Sequence, residues 1–342
     1  MRRYIDPRHG THAPTTGTPA RRPGSVRRTS SVDALRPDGL DGGLWLRGTA
    51  RDLVTGADGE AVVVATATSQ VDLAYTGGAV VQTISTEPGV TNVEALVGKV
   101  ATTGFRAVID AATGAERGSL VYLLLDEIPV STLVSGYSVG QAAKRGDLEE
   151  GAVERLRRPG PVIHGPDACA GFQVGGVIMS SIDSGGGANV TGPDATPLLD
   201  PDDPIGWHEM PSLPADGMRR WRRHDLWRDA DGVLHADVLF RDSHMAPDGE
   251  ETIIHEYTVE AVISAEMVVL ACQATPRVLP WKECPEAAAS AGRLVGMHVM
   301  GLRPQVRAEL LGPSTCTHLN DTLREIEDVV ALEALLPELQ DA

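Results

Sequence analysis

The sequence predicts an α+β protein built from two related antiparallel β-sheet units, each with flanking helices. The first observation is a short motif that occurs twice, as RRTSSVD at residues 27–33 and as RRWRRHD at residues 219–225. The second is that each motif is followed by an Asp- and Gly-rich turn and by a strand-like run ending in Arg-Asp, at 51–52 and 241–242. The third is that the glycine of an Asp-Gly turn stands seven residues after each of these aspartates. Short turns join antiparallel strands, so we interpret each half as strand–turn–strand–turn–strand and the two halves as an internal duplication.

Local patterns assign the elements of the first half. Residues 61–65 form an apolar strand, and residues 92–111 carry apolar side chains at roughly the helical period. The Leu-rich run at 119–128 predicts a strand that is buried on both faces. Residues 139–156 are interpreted as a polar helix. The Pro-Gly-Pro sequence at 159–161 breaks this pattern and marks a domain boundary.

The second half continues the same alternation of strands and helices. It contains a loop without clear periodicity at residues 184–211, a length that is typical of functional or mobile segments. Strands and helices follow the second copy of the motif. The strands are predicted at 252–264 and 267–274, and the helices at 285–295, 304–311 and 317–336.

These patterns divide the chain into a disordered tail at residues 1–25, an N-terminal unit at 26–160 and a C-terminal unit at 161–342. The tail consists largely of Pro, Thr, Gly and Arg. Such a segment buries too little apolar surface to offset the entropy that ordering costs. Because sheets of this kind commonly join by their edges or faces, a homodimer is expected.

The composition narrows the class of protein. Hydrophobic residues make up 42% of the 342 residues, which is enough to form a core. The net charge of −17 argues against nucleic acid as a partner, since phosphate contacts require clustered Lys and Arg. No uninterrupted apolar run reaches the roughly 18 residues that a membrane span requires, and no signal-peptide core follows the first residues. We therefore expect a cytoplasmic protein whose four cysteines are reduced and whose partner is a small-molecule substrate.

Several stretches together resemble a known family. They are Arg219-Arg220 with Asp225, His255-Glu256-Tyr257, residues 279–285, residues 293–296 and Cys316-Thr317-His318-Leu319, with residues 167–172 and Trp207-His208 in longer members. This set is similar to the bacterial family catalogued as domain of unknown function 2889. The resemblance covers residues 167 to about 330 and reaches the first half only through residues 27–33. It carries no established activity, so it implies where a site lies and not which reaction occurs there.

Two histidines are the leading candidates for chemistry. His255 stands in an apolar strand, where alternation places it on one face with Tyr257. An imidazole on such a face suits a general base or a metal ligand, and a core histidine bound to a backbone carbonyl is the alternative. His318 follows Cys316 at a helix start, and Asn320 and Asp321 come next. We predict that His318 faces the substrate, while Cys316 and Asn320 belong to a structural or binding corner.

The remaining candidates lie outside these two elements. Glu283 precedes a predicted helix, whose N-terminus stabilises an anion. The neighbouring Cys284, Asp167, Cys169 and Gly171 are expected to shape the pocket, because glycine lets backbone approach a ligand closely. In the long loop, His208 is a candidate for a lid over the site.

The sequence therefore predicts an enzyme of small-molecule catabolism, of lyase or hydrolase type, with a metal-free acid–base site. His255 is the base, Glu283 or Asp321 its partner, and His318 an electrostatic or proton-donating group. We expect no metal or other cofactor, because His255, Cys316 and His318 could ligate a metal only if the strand of His255 abuts the start of the last helix. A metal-dependent enzyme with those three ligands is one alternative. A non-catalytic ligand-binding or scaffold protein is the other. Catalysis requires His255 and His318 to share one site, with a carboxylate within hydrogen-bond reach.

Overall fold

The computed structural model describes residues 12–40, 42–75, 78–148, 165–184 and 190–337. They form an α+β fold around one eight-stranded antiparallel sheet with the order β4-β3-β2-β1-β5-β6-β7-β8. This confirms the predicted fold class, although the two expected sheets are joined into one. The strands are β1 (Ser25–Leu35), β2 (Leu44–Thr55), β3 (Ala61–Ala74), β4 (Val80–Glu87), β5 (Met218–Arg228), β6 (Leu234–Met245), β7 (Glu251–Ile263) and β8 (Val269–Val278).

Short helices pack against the sheet. The α-helices are α1 (Phe105–Ala112), α2 (Leu120–Asp126), α3 (Ile128–Val134), α4 (Gly136–Arg145), α5 (Val177–Asp183), α6 (Leu302–Glu309), α7 (Thr317–Glu325) and α8 (Val329–Glu333). Four 3₁₀ helices are also present in the described part of the chain, at Val93–Leu96, Ala170–Phe172, Cys284–Leu294 and Ile326–Asp328.

The centre of the sheet is the antiparallel pairing of β1 with β5, which places Thr29 opposite Arg223. Two reciprocal ion pairs cross this seam. Arg27 donates to both carboxylate oxygens of Asp225, at 2.6 and 2.8 Å. Arg219 donates in the same way to Asp33, at 2.6 and 2.7 Å. These residues are the ends of the repeated motif, so the motif holds the two halves of the sheet together.

Other local features also occur twice at matching places. A β-bulge lies after Asp52 in the pairing of β2 with β3, and another lies after Asp242 in the pairing of β6 with β7. Arg27 donates to the carbonyl of Pro19 and Arg219 donates to that of Pro211, each eight residues earlier in the chain. The two units therefore share detailed geometry, while their origin by duplication stays a prediction.

Two extended segments lie on the face of the sheet that carries Arg27 and Arg219. In residues 12–24, the carbonyl of Thr15 accepts from Arg241 of β6 and its N–H donates to Glu256 of β7. In the second segment, residues 190–217, the carbonyl of Ile205 accepts from Arg51 of β2. The first segment, which leads into β1, thus reaches the second half of the sheet, and the second segment, which leads into β5, reaches the first half. Residues 12–24 belong to the tail that we expected to be disordered, and residues 1–11 lie outside the described residues.

Two predicted elements of the first half differ from the structure. The run at 119–128 is not a strand but contains α2, because Ser119 caps its start by accepting the N–H of Tyr122 and every residue of α2 is buried. An apolar run buried on all sides has no periodicity that separates helix from strand. The predicted helix at 92–111 is interrupted, since Gly98 and Gly104 adopt positive φ between a 3₁₀ helix and α1. The domain boundary at 159–161 lies outside the described residues.

The apolar core lies mainly in two clusters, one for each half of the sheet. Leu226, Val238 and Leu323 belong to the cluster of the second half, and Leu46 and Leu124 to that of the first. Among the described residues, one helical stretch, Leu120–Arg145, has the length and apolar character of a membrane span, but 83% of its apolar window is buried inside the protein. A core helix meets the same criteria.

Candidate active site

Two imidazoles stack on the helix-covered face of the sheet. His255 lies on β7, and His318 lies in the first turn of α7. Their ring centroids are 3.9 Å apart, with an angle of 27° between the ring planes. Phe240 is nearly parallel to His318, at 9° and 6.0 Å between centroids. The side chains of His255 and His318 are 12% and 13% exposed, so both rings keep some contact with solvent.

The register of the β6–β7 hairpin supplies a carboxylate to this pair. The bulge after Asp242 shifts the pairing by one residue and places Asp242 directly opposite His255. Directly opposed residues point to the same face of a sheet. The Oδ2 of Asp242 therefore lies 3.1 Å from Nδ1 of His255. At the matching place in the first half, Asp52 lies opposite Ala65, so the histidine is found in the second half only.

A buried arginine holds Asp242 in its ionised form. Arg220 donates from Nε and Nη2 to the two oxygens of Asp242, each at 2.9 Å. Burial opposes ionisation, but Arg220 and then His255 and His318 lower the pKa of Asp242 far below its usual range. Nη2 of Arg220 also lies 3.3 Å from Nδ1 of His318. One guanidinium thus connects the carboxylate with the second imidazole.

These contacts favour opposite tautomers for the two imidazoles. The Asp242 carboxylate can only accept, which favours the hydrogen on Nδ1 of His255 and the lone pair on Nε2. The Arg220 guanidinium can only donate, which favours the lone pair on Nδ1 of His318 and the hydrogen on Nε2; Oδ2 of Asp242 is farther from this Nδ1, at 3.9 Å. The arrangement suits a base beside a proton donor.

The site is embedded in a large ionic network that joins the sheet to the helices. In the described part of the chain, this network connects six arginines with seven carboxylates. Its members are Arg28, Arg106, Arg220, Arg222, Arg303 and Arg324, with Asp52, Asp126, Glu127, Asp242, Asp321, Glu325 and Asp328. Burial, with Glu127 and Asp328 nearby, raises the pKa of Glu325 well above its ordinary value. A proton on Glu325 leaves six charges of each sign.

The same three side chains are also a candidate metal group. The ligand-type atoms of Asp242, His255 and His318 all lie within 4.8 Å of one another. Asp242, and not Cys316, is therefore the third possible metal ligand beside the two histidines. The stacking weakens this possibility, because nearly parallel rings direct their lone pairs side by side, whereas a metal requires them to converge. The neighbouring guanidinium of Arg220 opposes a cation for the same ligands.

Of the other predicted catalytic residues, Asp321 lies near the imidazole pair and Glu283 serves another element. Asp321 contacts Arg220 at 3.5 Å, and Arg220 in turn contacts His318. Glu283 accepts the backbone N–H of Val177 at the start of α5, at 3.0 Å. Among the described contacts, Glu283 does not reach either imidazole.

Five residues that we predicted to bind substrate form a buried cluster beside the imidazoles. Cys284 lies against Gly171, where an added Cβ would be 3.0 Å from its sulfur. The Tyr257 hydroxyl faces Cys316. Burial raises the pKa of Cys316 to about 12 and also raises that of Cys169, so these thiols stay protonated at neutral pH. This cluster supports the site by packing.

The last three predicted binding residues have structural contacts elsewhere. His208 is buried on the opposite face of the sheet, where its ring nitrogens lie 2.8 Å from Ser31 Oγ and 3.0 Å from Thr29 Oγ1. It therefore does not cover the imidazole pair. Asp167 accepts the N–H of Val174 within its own loop, and Asn320 donates to the carbonyl of Leu310.

Sequence reasoning missed Asp242 and Arg220 as members of the site, although both lie in the second unit's repeat-related segments. The signal that could have found Asp242 is its distance from the Asp-Gly turn, which fixes the hairpin register. The bulge that aligns Asp242 with His255 has no mark of its own in the sequence.

The fold and the site define an α+β protein with a paired-imidazole centre on one face of a continuous sheet. Residues 218–332 match the family model described as "Protein of unknown function (DUF2889)". The matched region begins with β5 and contains Arg220, Asp242, His255 and His318. No curated protein and no solved structure matches the chain. The cytoplasmic location and the homodimer stay predictions.

Proposed function

We propose that the protein is an enzyme that performs general acid–base chemistry on a small polar organic substrate, as a lyase or a hydrolase. His255 is the base and His318 the proton donor. The observation that carries this proposal is the contact of one ring with the Asp242 carboxylate and of the other with the Arg220 guanidinium, while the ring centroids are 3.9 Å apart. Such a pair can take a proton from one substrate atom and give a proton to another.

The division of labour follows from the partners of each ring. When Nε2 of His255 takes a proton, the ring becomes an imidazolium that the Asp242 carboxylate stabilises and orients. When Nε2–H of His318 gives its proton, the ring develops negative character that the Arg220 guanidinium stabilises. After the leaving group or water departs with its proton, transfer from His255 to His318 restores both rings, so the cycle consumes no external proton.

A first test measures the tautomers directly. Long-range ¹H–¹⁵N spectra of the imidazoles near neutral pH are expected to show the hydrogen on Nδ1 of His255 and on Nε2 of His318. Assignment uses His255→Asn and His318→Asn. If both rings carry the hydrogen on the same nitrogen, the acid–base assignment is wrong. This experiment needs no knowledge of the substrate.

A second test looks for turnover. The wild-type protein is incubated with pooled small polar metabolites, and their loss is followed by mass spectrometry. We expect His255→Asn and His318→Asn to lower the turnover of any substrate by about 100-fold or more, the usual contribution of a general acid or base. His235→Asn is the matched control, because His235 also contacts a carboxylate, Asp229, at 2.8 Å but lies at the start of β6, outside the site. Equal turnover in all variants would contradict the proposal.

The second candidate is a metal-dependent enzyme, which is favoured by the three ligand-type groups within 4.8 Å. Elemental analysis of protein purified without added metal decides between the two. Near-stoichiometric zinc or iron that disappears in His318→Ala would favour the metal-dependent enzyme. The acid–base proposal predicts wild-type turnover after treatment with a chelator.

A further inference from the structure

A cavity of about 440 Å³ lies between α1, α3, α6 and α7. This volume is within the range of small-molecule sites, roughly 300–1,000 Å³. Its lining includes Asp321 but neither His255 nor His318, so it is distinct from the imidazole pair. One wall is apolar and is formed by Pro129, Val130 and Leu133 at α3. That wall suits an aliphatic or aromatic body.

The opposite side of the cavity is electropositive. Arg106 and Arg307 line it, with side chains 19% and 30% exposed. The backbone at Gly104, which also lines the cavity, is the N-cap of the eight-residue α1 and makes no side-chain cap hydrogen bond. A helix N-terminus carries a partial positive charge. Arg106 pairs with Asp321 at 3.2 Å and with Asp126 at 3.0 Å, and Arg307 pairs with Asp110 at 3.1 Å. Because the cavity lining itself contains two guanidinium groups and one carboxylate, its net charge is positive and favours an anion.

The two arginines indicate the chemistry of a ligand. A guanidinium presents several N–H donors and can bind a carboxylate with two parallel hydrogen bonds. The side chains of Arg106 and Arg307 are partly exposed at the cavity, so a bound carboxylate can reach them.

We propose that this cavity binds a small organic acid, with its carboxylate at Arg106 and Arg307 and its apolar body against α3. The site combines two partly exposed guanidinium groups and an apolar wall in one cavity of ligand size. Binding here does not depend on the reaction at the imidazole pair.

The test compares three probes that share one apolar chain and differ in charge. Hexanoate, hexanol and hexylammonium are titrated into the full chain, and binding is measured by calorimetry. Hexanoate is expected to bind at least about tenfold more tightly than the other two, which corresponds to about 1.4 kcal/mol. Equal binding of hexanol, or no binding of hexanoate at millimolar concentration, overturns the proposal.

Two variants locate the site. Ala107 is an exposed cavity residue on α1, so Ala107→Trp obstructs the cavity without disturbing the core. The matched control is Ala111→Trp, one helical turn further along the same exposed surface. Ala107→Trp should weaken hexanoate binding at least about tenfold and Ala111→Trp should leave it unchanged. Equal affinity in the two variants places the binding elsewhere and overturns the proposal.

The positive charge of the cavity is tested by Arg307→Gln, which keeps a polar side chain and removes one guanidinium. We expect about a tenfold loss of hexanoate affinity. Unchanged affinity would overturn the proposal. His255→Asn should bind hexanoate as the wild type does, so failure of the acid–base proposal and failure of this one give different results.

Discussion

At the scale of single residues, the charges on the helix face are set by their neighbours rather than by exposure. Asp328 is buried, yet its pKa is lowered because Arg303 and Arg28 compensate the desolvation. Glu325 is equally buried, but its pKa is raised because its surroundings include Glu127 and Asp328. The pKa values of two carboxyl groups three residues apart are thus shifted in opposite directions.

This difference predicts unequal costs for two similar substitutions. Asp328→Asn removes an anion that faces two buried guanidinium groups, so it should lower the free energy of unfolding by about 3–5 kcal/mol. Glu325→Gln replaces a group whose raised pKa favours the neutral form and keeps an acceptor for Arg222, so its cost should be smaller, below about 1 kcal/mol. Urea unfolding at pH 7 measures both. Equal losses would show that Glu325 is ionised.

His208 predicts a pH dependence of stability. Burial, with Arg51 and Arg219 nearby, lowers its pKa from 6.5 to about 3. Because the folded pKa is depressed, the stabilisation is complete above the unfolded value of 6.5 and is lost as the pH falls towards 3. Between pH 7 and pH 5 the unfolded chain gains the proton and the folded protein does not, which costs about 2 kcal/mol.

The measurement compares stability at pH 7 and pH 5 in the wild type and in His208→Gln. The glutamine amide can hydrogen-bond near Thr29 and Ser31 but does not titrate, so the variant should lose about 2 kcal/mol less over this interval. Parallel losses in His208→Gln and the wild type would contradict the assignment.

At the scale of elements, close packing of α2 on the sheet depends on one glycine. A Cβ added at Gly48 of β2 would lie 2.4 Å from Ser69 Oγ and 3.0 Å from a methyl carbon of Leu124. The serine hydroxyl can rotate, but Leu124 is 1% exposed and has no room to move. The residue therefore has to be glycine for the helix to approach this strand.

Gly48→Ala should accordingly lower the free energy of unfolding by about 1–3 kcal/mol through overpacking. Gly292→Ala is the control, since an added Cβ there meets nothing within 4 Å and the backbone conformation suits other residues. That change should be neutral or slightly stabilising. Thermal and urea unfolding of both variants test the expectation, and a neutral Gly48→Ala would show that α2 can shift away from the sheet.

A comparison of the elements shows which structural features the sequence predicts and which it does not. The strands of both hairpins were predicted because alternation and Asp-Gly turns are local signals. The helix α2 was missed because all of its residues are buried, so its sequence lacks the alternation of apolar and polar residues that distinguishes a helix from a strand. His255 and His318 were predicted as candidates from residue type and position. Asp242 required the bulge that aligns it with His255, which is a property of two paired strands.

At the scale of the whole molecule, contacts between the two halves stabilise the fold. The pairing of β1 with β5 carries the reciprocal pairs Arg27–Asp225 and Arg219–Asp33. The extended segments cross to opposite halves, and Trp207 of one donates to Thr18 of the other, at 2.7 Å. The ionic network adds another contact between the halves, the ion pair of Arg28 in β1 with Asp328 near the end of the chain. Neither half is complete without the other.

Division of the chain between residues 148 and 165 tests this interdependence. Fragments 1–148 and 165–342 should associate when they are expressed together and should elute as a 1:1 complex with the secondary structure of the intact protein. Asp33→Asn in the first fragment removes one of the two reciprocal pairs and should weaken the complex, whereas Asp58→Asn on an exposed turn should not. Two fragments that fold separately and do not bind each other would contradict the expectation.

The same seam has a consequence for the second half alone. Without β1, strand β5 is an open edge, and an antiparallel copy of β5 in the seam's register places Arg219 opposite Asp225 in both directions. The edge is therefore self-complementary, as an isologous two-fold contact requires. A solitary second half is expected to assemble with its own copy and rebuild an eight-stranded sheet, with two paired-imidazole centres in place of one.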